Sequence, residues 1–353
     1  MTEGAGKARL LAVLAQAVPH DARWALRGGA DAVDRWLETD GVKDLDLWVH
    51  AEDLDAFCAA LAPHVKGVIS LESDPRWLRH VVFVMSDDCG GQLLDISYGD
   101  LTVGAALTCP QDMVSTAPAS HGPVLSGVSV VADLVLRKLM RGKLPRKDQM
   151  AEARHAWQDA APEVQAQWLA ALEAALGARL MARVRGLLEG AKPQRRDQIA
   201  FVISALNASR RRAGLSLMLR RRRRFAPGRP ARTLFKRPMA PVLVAVEGTD
   251  AAGEVQLMLH ALGVRSVASE NAVASTGRML RAAVLGQTVI ATQEQIHKLP
   301  RRAGRLFGGP LPLDLAGHAS AVADYLAAAH RWYIDMPDGA RNLVLPAAPT
   351  QSE

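Results

Sequence analysis

The chain has 353 residues, 49% of them hydrophobic and 22% charged, enough for two or three domains that each bury a core. It contains no run of about 18 apolar residues, which excludes a spanning helix, and its 5% aromatic content argues against a protein that binds nucleic acid by stacking bases. The net charge of +7 hides an asymmetry, because the 12 Lys/Arg between Arg210 and Arg237 stand without a single acid and leave the rest of the chain at −5.

In chain order, "MTEGAGKARLLAVLAQAVPH" has too short an apolar run for a signal peptide and predicts an amphipathic helix. Residues 1–115 form the first expected domain, of α/β type. "DLDLWV", "HVVFVM" and "QLLDISYG" alternate as strands do, and "AEDLDAFCAALAPHV" has helical spacing. Cys58, Cys89 and Cys109 show neither zinc nor disulfide spacing, which fits a reducing cytoplasm. Asp31, Asp34 and His50 are read as surface residues. The Pro/Ser/Gly-rich "CPQDMVSTAPASHGP", Cys109 to Pro123, is expected to be a linker or surface loop.

Residues 124–208 predict an all-helical middle region. "APEVQAQWLAALEAALGARLMARVRGLLEG" reads as one long helix or a hairpin ending at Gly190, with Trp157 and Trp168 as core anchors. In "LRKLMRGKLPRKDQ" the cations Arg137, Lys138, Arg141, Lys143, Arg146 and Lys147 read first as a solvated face, and second as contacts to a triphosphate or acceptor. An Arg-rich connector occupies 209–238, a third α/β region spans 239–346, and residues 347–353 are expected to be a disordered tail.

Two stretches carry chemistry. Asp44 and Asp46 alternate with Leu45, Leu47 and Val49, so both carboxylates share one strand face. Such a pair repels unless a cation lies between, and a hard divalent ion with oxygen ligands meets that need. Upstream, Gly28 and Gly29 in "LRGG" allow close backbone approach to an anion. Downstream, Asp95 in "QLLDIS" offers a third carboxylate. This order resembles the nucleotidyltransferase-fold superfamily. The resemblance implies that Asp44, Asp46 and Asp95 are catalytic and hold magnesium, and that Gly28 and Gly29 contact the phosphates of an NTP. The second loop position is glycine here, where many members have serine.

The second stretch is "VEGTDAAGEVQ", which follows the strand-like "PVLVAV" and precedes the helix-like "EVQLMLHAL". Glu247, Gly248, Asp250 and Gly253 resemble the P-loop of thymidylate kinase-like proteins, but Glu254 and Val255 stand where lysine and Ser/Thr belong. At about 4 Å and an effective dielectric near 20, the lost Lys–phosphate attraction is worth about 4 kcal/mol, and Glu254 reverses its sign. "ATQE", Ala291 to Glu294, likewise replaces the Asp-Arg pair of such kinases. The third region is therefore expected to be a degenerate, inactive kinase-like domain.

The order of regions resembles a bacterial family often described as thymidylate kinase-like and found with surface-polysaccharide genes. It implies a cytoplasmic, magnesium-dependent transferase of NMP from an NTP to an unidentified acceptor. A catalytically silent scaffold or regulator associated with cell-surface polysaccharide synthesis is the alternative. For Arg210 to Arg237, pairing with acidic faces of the other domains ranks first, a peripheral contact with the anionic inner face of a membrane second, and nucleic acid third.

Overall fold

The computed structural model describes residues 3–70, 80–208, 242–262, 264, 266–268, 288–298, 310–329 and 333–335. The expected Arg-rich connector and the 347–353 tail lie outside them. The fold is mixed α/β, built on an eight-stranded sheet with parallel and antiparallel neighbours. Its strands are β1 (Trp24–Leu26), β2 (Asp44–Val49), β3 (Val65–Ser70), β4 (His80–Met85), β5 (Leu93–Tyr98), β8 (Ser115–Ala117), β9 (Val124–Ser126) and β14 (Tyr333–Asp335), in the order β14-β3-β4-β5-β2-β1-β9-β8. A separate hairpin pairs β6 (Leu101–Val103) with β7 (Ala106–Cys109).

The alternation read in the sequence decides which way each face points. Leu45, Leu47 and Val49 pack with Leu94, Ile96 and Tyr98 beneath α1 (Glu3–Ala17) and α3 (Leu54–Leu61). On the opposite face Trp48 joins the core of the helical region, while Val82, Val84 and Leu93 join a third core that includes Val242, Val244 and Val246. The acidic positions of β2 and β5 stand between these two packed areas. Cys58, Cys89 and Cys109 are buried free thiols, and burial pushes all three up to about 12.

After β1 comes α2 (Ala32–Leu37). The region expected to be all-helical from residue 124 instead begins with strand β9, turns helical at α4 (Val128–Val131), passes through a π-helical turn at Ala132–Leu136, and continues as α5 (Arg137–Met140). It goes on through α6 (Lys147–Asp159), α7 (Pro162–Leu176), α8 (Ala178–Leu188) and α9, residues 195–208. Of the two forms expected for the α7–α8 stretch, the hairpin is present. Gly177 at φ 87° separates the helices, a conformation that glycine adopts without Cβ strain. Trp168 is fully buried and Trp157 packs against it, with ring centroids 5.8 Å apart.

Two expectations are corrected. The stretch from Cys109 to Pro123 is not all loop, because Ser115–Ala117 pairs antiparallel with Val124–Ser126 as an edge strand. Its side chains are largely exposed, so no alternation marked it. His50 is buried rather than at the surface, and its Nδ1 accepts from the Glu52 N–H at 3.3 Å, closing the end of β2. Asp31 and Asp34 are exposed as read.

The third region contains a parallel four-stranded sheet, β11 (Ser266–Ala268), β12 (Thr288–Thr292), β10 (Leu243–Val246) and β13 (Pro310–Pro312) in that spatial order, with α10 (Thr249–Ala261) following β10. Packing crosses the boundary drawn from sequence. β14 extends the eight-stranded sheet beyond β3, and the helix His318–Ala329 lies against β3 and β4.

Candidate active site

β2 and β5 are parallel neighbours, with Asp46 opposite Asp95 and Asp44 opposite Leu93. Carboxylate oxygens of Asp44, Asp46 and Asp95 lie within 4.8 Å of one another. Asp44 is exposed, Asp46 half-buried and Asp95 only 6% exposed, so the group forms a funnel from solvent into the sheet. Three oxygen donors at this spacing suit a hard divalent cation. Asp95 Oδ1 also pairs with His80 Nε2 on β4.

Beside them sits an ion-pair hub centred on Asp133, which is 2% exposed and lies within the π-helical turn. Asp133 Oδ1 accepts from Arg27 Nε at 3.0 Å and Nη2 at 2.6 Å, and pairs with Arg137 Nε at 2.9 Å. Its Oδ2 accepts from the Gly28 N–H at 2.9 Å. Arg137 in turn donates from Nη1 to Asp46 Oδ2 at 3.1 Å. Arg27 also reaches Ser97 Oγ, so one network ties β1, β5 and the helix to the acids. Burial alone would push Asp46 upward, but Arg137, Arg27 and Arg141 outweigh it and hold its carboxyl well below the usual range. Burial likewise opposes ionisation of Asp133, and Arg137 and Arg27 reverse that. The first reading of this basic stretch as a solvated face therefore fails for Arg137, which is 8% exposed. Its guanidinium bridges buried Asp133, which Arg27 also pairs, to half-buried Asp46.

The glycine turn joins β1 to α2. Gly28 and Gly29 take φ values of 104° and 101°, where a side chain is strained. Successive backbone N–H groups in such a bend form a concavity that attracts anions. Here the donors meet carboxylates, Asp133 at Gly28 and Glu152 at Ala30, whose N–H donates to Glu152 Oε1 at 2.7 Å. A Cβ added to Gly29 would lie 2.7 Å from Glu152 Oε2, so glycine is needed for this approach.

Lys138, half-buried one residue past Arg137, has its ammonium lowered to about 8 by burial and by the like charges of Arg137 and Lys143. A lowered lysine is neutral more often than a free one at a given pH. Labelling with an amine-selective reagent, followed by peptide mass spectrometry, should show Lys138 gaining reactivity as pH rises through about 8, while exposed lysines rise nearer their ordinary value of about 10.4. A profile for Lys138 that rises only near the ordinary lysine value of about 10.4 would contradict the assignment.

The kinase-like motif is organised differently from its sequence. Gly248 is extended at φ −155°, and α10 begins at Thr249, so Asp250, Gly253 and Glu254 lie on a helix, exposed. The Ala252 N–H already bonds to the Gly248 carbonyl at 3.1 Å. The open loop that the spacing of Gly248 and Gly253 implied is replaced by helical turns. Val255 is fully buried in the third core, where its apolar side chain serves packing. The Ala291 to Glu294 stretch ends β12 and starts a short helix, with Thr292 accepting from the Gln295 N–H at 3.4 Å.

Sequence reading missed Arg27, His80, Asp133 and Glu152. Asp133 carries a usable signal, a lone acid inside "VVADLVL" with Arg137 four residues on, where an unpaired charge is untenable. Glu152 carries none, since α6 reads as an ordinary polar helix. Compared with protein-family models, curated proteins and solved structures, the chain matches none.

Proposed function

We propose that the chain is a magnesium-dependent nucleotidyltransferase-like protein, with its transferase site on the first region and an inactive kinase-like third region. The observation that supports this most is the meeting of Asp44, Asp46 and Asp95 on adjacent parallel strands beside a positive-φ glycine pair. Acceptor oxygen would attack the α-phosphorus of an NTP, and pyrophosphate would leave. Magnesium held by the three carboxylates would polarise the phosphoryl oxygens and lower the pKa of the acceptor hydroxyl. The chain's own groups supply position and charge. Asp133 fixes the Gly28 amide and aims Arg137, Arg137 orients Asp46, and His80 holds Asp95. The parallel sheet of the third region, with Gly248 closing β10 onto α10, supports the kinase-like reading of that part. Incubation of the full chain with labelled NTPs, magnesium and candidate hydroxyl acceptors tests the proposal through pyrophosphate release.

Glu152 gives a sharper test. Its carboxylate fills the turn where the proposal puts phosphate, so it competes with the ligand. Glu152→Gln keeps an acceptor for Ala30 and removes the charge, and is expected to bind NTP about tenfold tighter, the effect of deleting one close repulsion in a half-screened site. Equal or weaker affinity by calorimetry would count against phosphate in this turn.

A second reading is favoured by Arg137, which supplies positive charge to Asp46 from the protein itself, and by His80, which occupies an oxygen of Asp95. It makes the chain a silent scaffold or regulator, in the setting of surface-polysaccharide synthesis that the family resemblance suggests. Retention of NTP binding without pyrophosphate release across nucleotides and acceptors would favour it.

A further inference from the structure

On the far side of the glycine turn from the three acids, an open groove of about 640 Å³ runs between the β8–β9 pair and helices α6 and α7. That volume falls within the range of roughly 300–1,000 Å³ usual for small-molecule sites. Its floor is apolar, formed by Val124, Leu125, Val128 and Val130, and Val164, 37% exposed, stands on the helical wall. Polar character comes mainly from three carboxylates, those of Asp112, Glu152 and Asp159. Among the described residues no lysine or arginine lines it, although the chain as a whole carries +7. His155 is the one basic group among the described lining residues, and its Nε2 pairs with Asp159 Oδ2 at 3.3 Å.

We propose that this groove binds a small organic cation with an apolar body. An anion would meet three carboxylates with only the Asp159-paired His155 as a basic group among the described lining residues, while Arg35 and Arg146 act on Glu152 from outside the groove. A purely apolar ligand would strip water from the same groups without recompense. A cation with a hydrocarbon portion satisfies floor and rim together. Glu152 is the innermost acid, fixed by the Ala30 N–H at one oxygen, and burial raises its carboxyl, so a nearby positive charge would favour its ionised form. The site stands on its own geometry and does not depend on nucleotidyl transfer.

Three probes sharing one phenethyl body decide the matter, namely phenethylammonium, phenethyl alcohol and 3-phenylpropionate. They are titrated by ligand-detected NMR into the full chain without nucleotide or magnesium. The ammonium should bind about threefold to tenfold tighter than the alcohol, and the carboxylate more weakly than either. Asp112→Asn/Asp159→Asn, both solvent-facing, should erase most of the ammonium's advantage and leave the alcohol unchanged. Val164→Trp, which fills the groove from an exposed position, should weaken both. Equal affinities for ammonium and carboxylate, no binding of the ammonium, or binding indifferent to all three substitutions would overturn the proposal. Because no nucleotide is present, failure here leaves the transferase reading intact, and the converse holds.

Discussion

Replacing Asp44 and Asp46 together by asparagine is expected to lower magnesium-dependent pyrophosphate release by at least about 100-fold, since loss of metal-borne charge stabilisation costs several kcal/mol and each 1.36 kcal/mol is a factor of ten. The fold should survive. Asp44 is exposed, asparagine is nearly isosteric, and Arg137 keeps its ion pair with Asp133 when Asp46 loses its charge. Magnesium should also raise the unfolding temperature of the wild type and not of the variant, because a ligand at about 100 times its Kd contributes about 2.7 kcal/mol. The thermal readout separates binding from turnover. A magnesium shift without turnover would leave a cation-binding scaffold, whereas equal turnover in both proteins would remove Asp44 and Asp46 from the chemistry.

The largest effect on stability is expected at Asp133. Its removal in Asp133→Ala leaves the guanidinium of Arg27 without its main partner and that of Arg137 without one of two, in a buried setting. Breaking a buried pair in this way costs about 3–5 kcal/mol. Chemical denaturation followed by tryptophan fluorescence measures it, and Trp48 reports the same core. Asp133→Asn, which retains volume and one acceptor, should lose less. The pH dependence has a definite sign. The folded-state carboxyls of Asp133 and Asp46 lie below their unfolded values, so their contribution is complete above the unfolded pKa of about 3.9 and is lost as pH falls through the folded values. The gap between wild type and Asp133→Asn should therefore be widest near neutral pH and narrow below about pH 4. A gap that is constant with pH would mean that Asp133 acts by shape and not by charge.

What the sequence discloses and what it withholds divide along physical lines. Strand period made β2, β4 and β5 readable, because each buries a face of alternating aliphatics. The same period put Asp44 and Asp46 on one face, and only parallel pairing of β2 with β5 was needed to bring Asp95 beside them. Edge strand β8 was hidden because three small residues, two of them exposed, have no period to show. Arg137 was misread because the i,i+4 signal from Asp133 was passed over and helical spacing cannot reveal Asp46 arriving from a separate strand. Spacing of Gly248 and Gly253 says nothing about backbone state, and with Ala251 and Ala252 between them the segment is a good helix former. Glu152 reaches the glycine turn across 122 residues of chain, a distance at which local pattern carries no information.

The attachment of the chain's last third to its first has a consequence for dissection. Tyr333–Asp335 covers the outer backbone of β3, and the Ala319 N–H docks on Asp87 Oδ1 at 2.6 Å. Excising residues 1–208 would bare that backbone as a sticky margin and uncover Val82, Val84 and Leu93 to water. The first region is thus not a severable module. The last third covers its neighbour's hydrophobic interior, so deleting it would expose apolar surface whatever else that region does.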